Sequence, residues 1–102
     1  MSTSTETASS SIRNPSQATF QNLFKKALSD DKPILFDYWM GSLEKKCVIG
    51  VKDEGKVKIL VRNEEEYTSP IMNIFKSETE FIIITENSIY VVDAAIPVKK
   101  IA

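Results

Sequence analysis

The chain has 102 residues, a length that suits one domain. Its hydrophobic fraction of 42% is enough for a core, and its charged fraction of 26% is ordinary for a globular protein. The net charge of -1 leaves no global field that would attract nucleic acid or anionic lipid, which lowers the expectation of binding either one.

The residue types exclude several kinds of chemistry. The chain has no His, and Cys47 is its one cysteine, so it cannot form an internal disulfide. Zinc sites of the usual Cys/His kinds, Ser-His-Asp triads and Cys-His pairs all lack their residues. A lone cysteine suits a reducing compartment, and we find no secretory signal and no apolar run long enough to span a membrane. We therefore predict an intracellular protein that is not an enzyme, binds no cofactor or metal and does not enter a membrane.

The N-terminal part divides into a tail and a helix. Residues 1–13 are mostly Ser and Thr, and we predict a disordered tail there, followed by a single α+β domain over residues 14–102. Asn14 or Ser16 can cap a helix. The helix is indicated by apolar residues at helical spacing, and we expect that stripe to face the core, with a partner-binding face as the alternative. The stripe consists of Phe20, Leu23, Phe24, Ala27 and Leu28.

Six strands are predicted after the helix, in a mainly antiparallel meander. They are residues 34–40, 47–52, 57–62, 71–76, 81–84 and 89–92. Both parities of residues 81–84 are apolar, which predicts a central strand covered on both faces. We expect Gly55 and Asn87 to turn the two hairpins with left-handed backbone conformations. The meander either curls into a small half-barrel or stays an open sheet.

Two sets of residues are candidate binding sites. Tyr38 and Trp39 are adjacent in a predicted strand, so one should enter the core while the other anchors a protein interface. A basic strip on one hairpin is the candidate contact for nucleic acid. The strip consists of Lys52, Lys56, Lys58 and Arg62, with Lys52 expected across from Lys58 and Arg62.

The remaining chemistry-bearing residues favour structural roles. We predict that residues 64–66, three consecutive glutamates, form a solvated acidic loop rather than a cation site, because their side chains point in different directions. Glu78, Glu80 and Glu86 are predicted to be turn and edge charges that discourage pairing with other strands. Cys47 lies in a strand pattern and is predicted to be a buried small apolar residue.

Residues 31–39 (DKPILFDYW) resemble the strand that precedes the active site of thioredoxins, and residues 67–76 resemble a later proline-containing segment of that fold. The departure is at the site itself, because residues 40–43 contain no cysteine and Cys47 is too far along the chain. A thioredoxin-like redox protein is therefore the least favoured function.

A second resemblance extends over residues 20–98. Its segments are residues 36–39 (FDYW), 46–51 (KCVIGV), 64–71 (EEEYTSPI) and 81–90 (FIIITENSIY). These segments resemble small uncharacterised proteins of large DNA viruses that infect algae and protists. The resemblance implies a virion component or an accessory protein of the infected cell, and no functional residue follows from it.

Three functions follow from these observations. The first is a non-enzymatic domain that binds a protein partner or itself, in a structural, assembly or adaptor role. The alternative is a nucleic-acid-binding accessory domain that uses the basic strip. The third is a redox role for Cys47, which would require an accessible thiolate.

Overall fold

The computed structural model describes residues 13–101, so of the predicted tail only Arg13 falls within the described part of the chain. These residues form an α+β domain, as predicted. The helices are α1 (Gln17–Asp30) and α2 (Trp39–Leu43). The strands are β1 (Ile34–Leu35), β2 (Val48–Lys52), β3 (Val57–Asn63), β4 (Glu66–Tyr67), β5 (Ile71–Ser77), β6 (Glu80–Thr85), β7 (Ile89–Asp93) and β8 (Val98–Lys100). The predicted count of six strands is wrong, because β4 and β8 are short and mostly polar and carry no apolar alternation.

Helix α1 begins where the sequence indicates. Ser16 is the N-cap, and its Oγ accepts a hydrogen bond from the backbone N of Thr19 at 3.2 Å. The helix ends at Asp30, and Asp31 takes a left-handed conformation with φ 54°. The predicted core-facing stripe is only partly confirmed. Leu23 is fully buried and Phe20 is half-buried, but others of the stripe lie in solvent, as described below.

The strands form two open four-stranded sheets. The first has the order β1-β7-β6-β5 and the second has the order β4-β3-β2-β8. The hairpins β2–β3, β5–β6 and β6–β7 are antiparallel, as expected for a meander. Of the two predicted alternatives, the open sheet agrees with the structure and the half-barrel does not, because the strands divide into two separate sheets. The chain also departs from a simple meander, since β1 pairs with β7 and β8 pairs with β2 in parallel.

The first sheet is the middle layer of the domain. Alternate residues of its central strand β6 enter two separate apolar clusters. Ile82 and Ile84 pack with Leu23 of α1, whereas Ile83 packs with Leu60 of the second sheet. The predicted central strand, covered on both faces, is therefore confirmed, and α1 and the second sheet lie on opposite sides of it.

Of the two residues predicted to have a left-handed backbone conformation in hairpin turns, only one has it. Gly55 has φ +89°, which confirms the predicted left-handed glycine. Asn87 does not have a positive φ, so that prediction is wrong. Thr85 closes the turn instead, because its backbone N donates to the carbonyl of Ser88 at 2.9 Å and the backbone N of Ser88 donates to Thr85 Oγ1 at 3.2 Å.

The predicted strand over residues 34–40 is wrong beyond Leu35. The chain turns there, with the backbone N of Trp39 donating to the Phe36 carbonyl at 3.1 Å and the backbone N of Ser42 donating to the Tyr38 carbonyl at 2.9 Å. The turn into α2 sends Tyr38 into the cluster between the sheets and Trp39 into the cluster beneath α1.

Candidate functional site

A charged cluster joins the segment before α1 to the first sheet. We call it the Arg13 clasp, and it consists of Arg13, Glu80 and Asp93. Arg13 Nη1 donates to Glu80 Oε2 at 2.6 Å, and Nη2 donates to Asp93 Oδ2 at 2.7 Å. Trp39 supports the same segment, because its Nε1 donates to the Arg13 carbonyl at 2.8 Å and its ring lies 5.1 Å from the guanidinium carbon.

Glu80 is fully buried and accepts further hydrogen bonds. Its Oε1 accepts from Thr19 Oγ1 at 2.6 Å and from the backbone N of Ser16 at 3.2 Å, and its Oε2 accepts from Thr79 Oγ1 at 2.6 Å. Burial alone would raise its pKa, but these bonds and the one from Arg13 lower the pKa to about 2. The prediction that Glu80 is an edge charge is therefore wrong. It is an ionised buried acceptor, and its engaged oxygens suit a structural role rather than proton transfer.

The other buried titratable groups are protonated. Cys47 is fully buried, and burial raises the pKa of its thiol, although Arg62 opposes the shift. Burial likewise raises the pKa of Tyr38 to about 12. The predicted burial of Cys47 is thus confirmed. A redox role requires a thiolate that solvent can reach, and this environment disfavours one.

Tyr38 and Trp39, the predicted interface anchor, are both buried. The expectation that one of them is exposed rested on opposite faces of a strand, and these residues lie at the start of α2 instead. Each therefore fills one of the two apolar clusters, and neither presents its ring for docking.

The basic strip is divided between two faces of the second sheet. Directly opposed residues of an antiparallel pair share a face, and Lys52 is opposite Val57 whereas Lys58 is opposite Val51. Lys58 and Arg62 alternate with their neighbours in the same way as the buried Leu60, so all three share one face of β3. Lys52 shares its face with Val57 and therefore lies on the opposite side of the sheet from Lys58 and Arg62. The structure therefore does not assemble Lys52, Lys56, Lys58 and Arg62 into the single surface that the sequence predicts.

Within residues 13–101, no group of three or more His, Cys, Asp or Glu side chains is arranged to hold a metal ion. The acidic loop is organised by Asn63, whose Oδ1 accepts from the backbone N of Glu65 at 2.8 Å and of Glu66 at 3.0 Å. Neither helix of the described chain has the length and apolar character that crossing a membrane requires.

An exposed apolar surface runs along α1. We call it the α1 patch, and it consists of Phe20, Phe24, Leu28 and Phe36. Leu28 is 86% exposed, Phe24 is 56% exposed and Phe36 is 44% exposed. The ring of the half-buried Phe20 lies 6.2 Å from those of both Phe24 and Phe36, measured between centroids. The first three residues recur every fourth position, so they form one ridge of the helix surface.

A basic groove lies on another side of the same helix, between α1 and β5. We call it the α1–β5 groove, and its cavity has a volume of about 470 Å³. Its lining includes Asn22, Lys25 and Lys26 from α1 and Phe75 from β5. Lys26 Nζ lies 4.2 Å from the centroid of the Phe75 ring, a cation–π contact.

Sequence reasoning offered a partner-binding face only as the alternative for the apolar stripe of α1, and it did not predict the α1–β5 groove. It assigned the whole apolar stripe of α1 to the core, although a helix on one face of a sheet buries only the side that contacts the sheet. Phe36 joins the α1 patch only because the chain turns after β1, and Phe75 is 49 residues from Lys26 along the chain. The sequence carries no local signal for the division of the stripe between core and solvent, since five apolar residues are no more than a core-facing stripe of a 14-residue helix contains.

Comparisons with known proteins find no relatives. No family model matches the chain, and searches of curated proteins and of solved structures find no match either.

Proposed function

We propose that this protein is a non-enzymatic protein-binding domain that pairs with a second copy of itself through the α1 patch. The observation that carries the proposal is Leu28, which is 86% exposed on a helix beside the exposed ring of Phe24. Leaving apolar surface in water costs about 25 cal/mol per Å². Contiguous exposed apolar side chains on a folded domain therefore mark a surface that a partner covers.

The N-terminal residues are poorly suited to cover this surface. Residues 1–12 contain eight Ser or Thr side chains and only three apolar residues. Their composition therefore offers few apolar side chains that could match the exposed rings of the patch. A second α1 patch, in contrast, offers matching apolar side chains.

The surface of α1 is self-complementary when two copies run antiparallel. If Phe24 of one copy faces Leu28 of the other, residues whose numbers sum to 52 are opposed, so Gln21 faces the partner's Asp31. The amide of Gln21 can then donate to that carboxylate. The first turn of α1 contains no acidic residue, and the antiparallel arrangement brings the partner's Asp30 and Asp31 toward that positive end of the helix dipole.

The area of the α1 patch limits the affinity that we expect for the dimer. Helix α1 has 14 residues and is therefore about 21 Å long. A stable interface typically buries about 800 Å² on each partner, and one helix face with Phe36 beside it provides less. We expect a concentration-dependent equilibrium of monomer and dimer rather than an obligate dimer.

The non-enzymatic part of the proposal is supported by the buried titratable groups. Glu80 has a pKa of about 2 and Tyr38 a pKa of about 12, so neither exchanges a proton near neutral pH. A self-associating domain also suits the structural or assembly role, including a virion role, that the sequence resemblance implies.

Sedimentation velocity on the full chain over a wide range of concentrations tests the proposal. The wild type should shift from monomer toward dimer as concentration rises. Leu28→Glu should remain monomeric throughout, because pairing would bury an uncompensated carboxylate in each copy. Val98→Glu is the matched control, since Val98 is 63% exposed on the second sheet, away from α1.

Two results would contradict self-association through α1. One is a wild type that is strictly monomeric at the highest concentration. The other is a dimer that Leu28→Glu leaves intact or that Val98→Glu disrupts equally. Circular dichroism on all three proteins confirms that each is folded.

A further inference from the structure

The α1–β5 groove is built from a helix wall and a strand wall that hydrogen bonds hold together. Asn22 Nδ2 donates to Ser77 Oγ at 3.0 Å, and Thr19 Oγ1, which donates its proton to Glu80, lies 3.1 Å from the same Ser77 hydroxyl. Phe75 faces the helix, because it is opposite Ile82, which belongs to the cluster beneath α1. The groove is thus fixed by the packing of α1 on the first sheet.

The lining of the groove is basic in a protein whose net charge is -1. Lys25 and Lys26 line it from α1, and Lys76 borders it from β5. Among residues 13–101, none of these three ammonium groups forms an ion pair, and no carboxylate lines the cavity. Lys76 also borders a second cavity, which Glu78 and Asp93 line as well, so the basic character of the groove rests on Lys25 and Lys26.

The aromatic ring of Phe75 adds a second kind of contact. It is 38% exposed, and its centroid lies 4.2 Å from Lys26 Nζ. Surfaces that bind single strands without sequence preference combine cations for the phosphates with aromatic rings for the bases. The groove supplies both contacts in one place, because Lys25 and Lys26 line it together with the Phe75 ring.

We propose that the α1–β5 groove binds single-stranded nucleic acid. Phosphates contact Lys25 and Lys26, and one base stacks on Phe75. The base takes the ring face that Lys26 Nζ covers in the free protein, and the displaced ammonium pairs with the adjoining phosphate. The cavity of about 470 Å³ accommodates a nucleotide or two rather than a duplex. This site is separate from the α1 patch and does not depend on self-association.

The test measures fluorescence anisotropy of a labelled oligothymidylate of about twelve nucleotides with the full-length protein, from about 50 to 200 mM KCl. Neutralising about two phosphates predicts a slope of about -1.4 for log K against log salt. Lys25→Glu with Lys26→Glu should weaken binding at least about tenfold at the lowest salt concentration. Lys58→Glu with Arg62→Glu is the matched control, because it changes the net charge by the same amount on the hairpin, and it should leave the affinity within about twofold.

Phe75→Ala separates stacking from charge. It should weaken binding about tenfold and leave the salt slope unchanged, because no phosphate contact is removed. A duplex of the same length should bind more weakly than the single strand. Sedimentation and circular dichroism confirm that the variants retain the oligomeric state and fold of the wild type.

Several outcomes would overturn the proposal. If the wild type does not bind the oligothymidylate at about 50 mM KCl, the groove is not a nucleic-acid site. Equal losses in both charge-reversal variants indicate general electrostatic attraction, and a loss confined to the hairpin variant places the contact on the β2–β3 hairpin. An affinity that Phe75→Ala leaves unchanged identifies a site for anions such as phosphorylated protein or acidic lipid, without base stacking.

Discussion

Arg13 and Glu80 are 67 residues apart in the chain, yet Arg13 Nη1 donates to Glu80 Oε2 across 2.6 Å. The pair fixes the segment before α1 against the first residue of β6. Because Glu80 also accepts hydrogen bonds from Thr19 of α1 and Thr79 of the β5–β6 turn, the carboxylate joins three parts of the chain. The carboxylate thus adds to the apolar packing that holds α1 on the first sheet, and with it the α1 patch and the α1–β5 groove.

Glu80→Gln should destabilise the protein by about 3 kcal/mol or more. The amide loses the charge that pairs with Arg13, and its NH₂ group must face a donor from either Thr19 or Thr79. Urea denaturation of the variant and the wild type measures the difference in free energy of unfolding. Glu86→Gln changes an exposed glutamate and should stay within about 0.5 kcal/mol of the wild type. A Glu80→Gln loss no larger than that of the control would show that the clasp contributes little.

Acid should destabilise the protein through Glu80. Its pKa is about 2 in the folded state and ordinarily near 4.5, so the unfolded chain binds this proton more tightly. The stabilisation is therefore fully present above about pH 5 and is lost as pH falls toward 2. A shift of this size corresponds to about 3 kcal/mol.

Urea midpoints measured from neutral pH down to about pH 3 test this linkage. The wild type should lose stability steadily over the acid range, and Glu80→Gln should show a shallower loss because its largest acid-sensitive group is gone. Parallel pH profiles for the two proteins would mean that other carboxylates cause the acid sensitivity.

Local patterns in the sequence predicted much of the fold. Helix α1 is indicated by its cap at Ser16 and its apolar spacing, and the β2–β3 hairpin by alternation around Gly55. The central position of β6 is indicated by apolar residues of both parities. Each of these signals lies within a few residues of the element it predicts, which is why the sequence suffices.

The predictions that the structure corrects all depend on residues that are distant in the sequence. Residues 38 and 39 carry two large aromatic rings in succession, a pattern that suits a strand and equally suits a turn between two apolar clusters. Strand β8 pairs with β2 in parallel across half the chain, and its own sequence is Val-Lys-Lys. Glu80 resembles a turn charge locally, since only the fold brings Arg13 to it. The full α1 patch and the α1–β5 groove could not be predicted for the same reason, because Phe36 and Phe75 reach α1 only in the tertiary structure.

Cys47 should react slowly with a thiol reagent in the folded protein. Its Sγ is fully buried, 3.6 Å from the Tyr38 carbonyl, and burial raises the pKa of the thiol, so both access and thiolate fraction are low. Labelling with Ellman's reagent at about pH 8 then requires local or global opening of the domain. Met72→Cys supplies an internal control, because Met72 is 60% exposed and the introduced thiol is present in the same molecule.

The Met72→Cys variant should label in two phases. The fast phase belongs to the introduced thiol, and the slow phase, at least about 100-fold slower, belongs to Cys47. Adding denaturant should merge the phases, since unfolding exposes both thiols equally. A single fast phase of two thiols in the native protein would instead reveal an accessible thiolate at Cys47. That outcome would support the redox hypothesis for Cys47, since a reactive cysteine must be accessible to solvent.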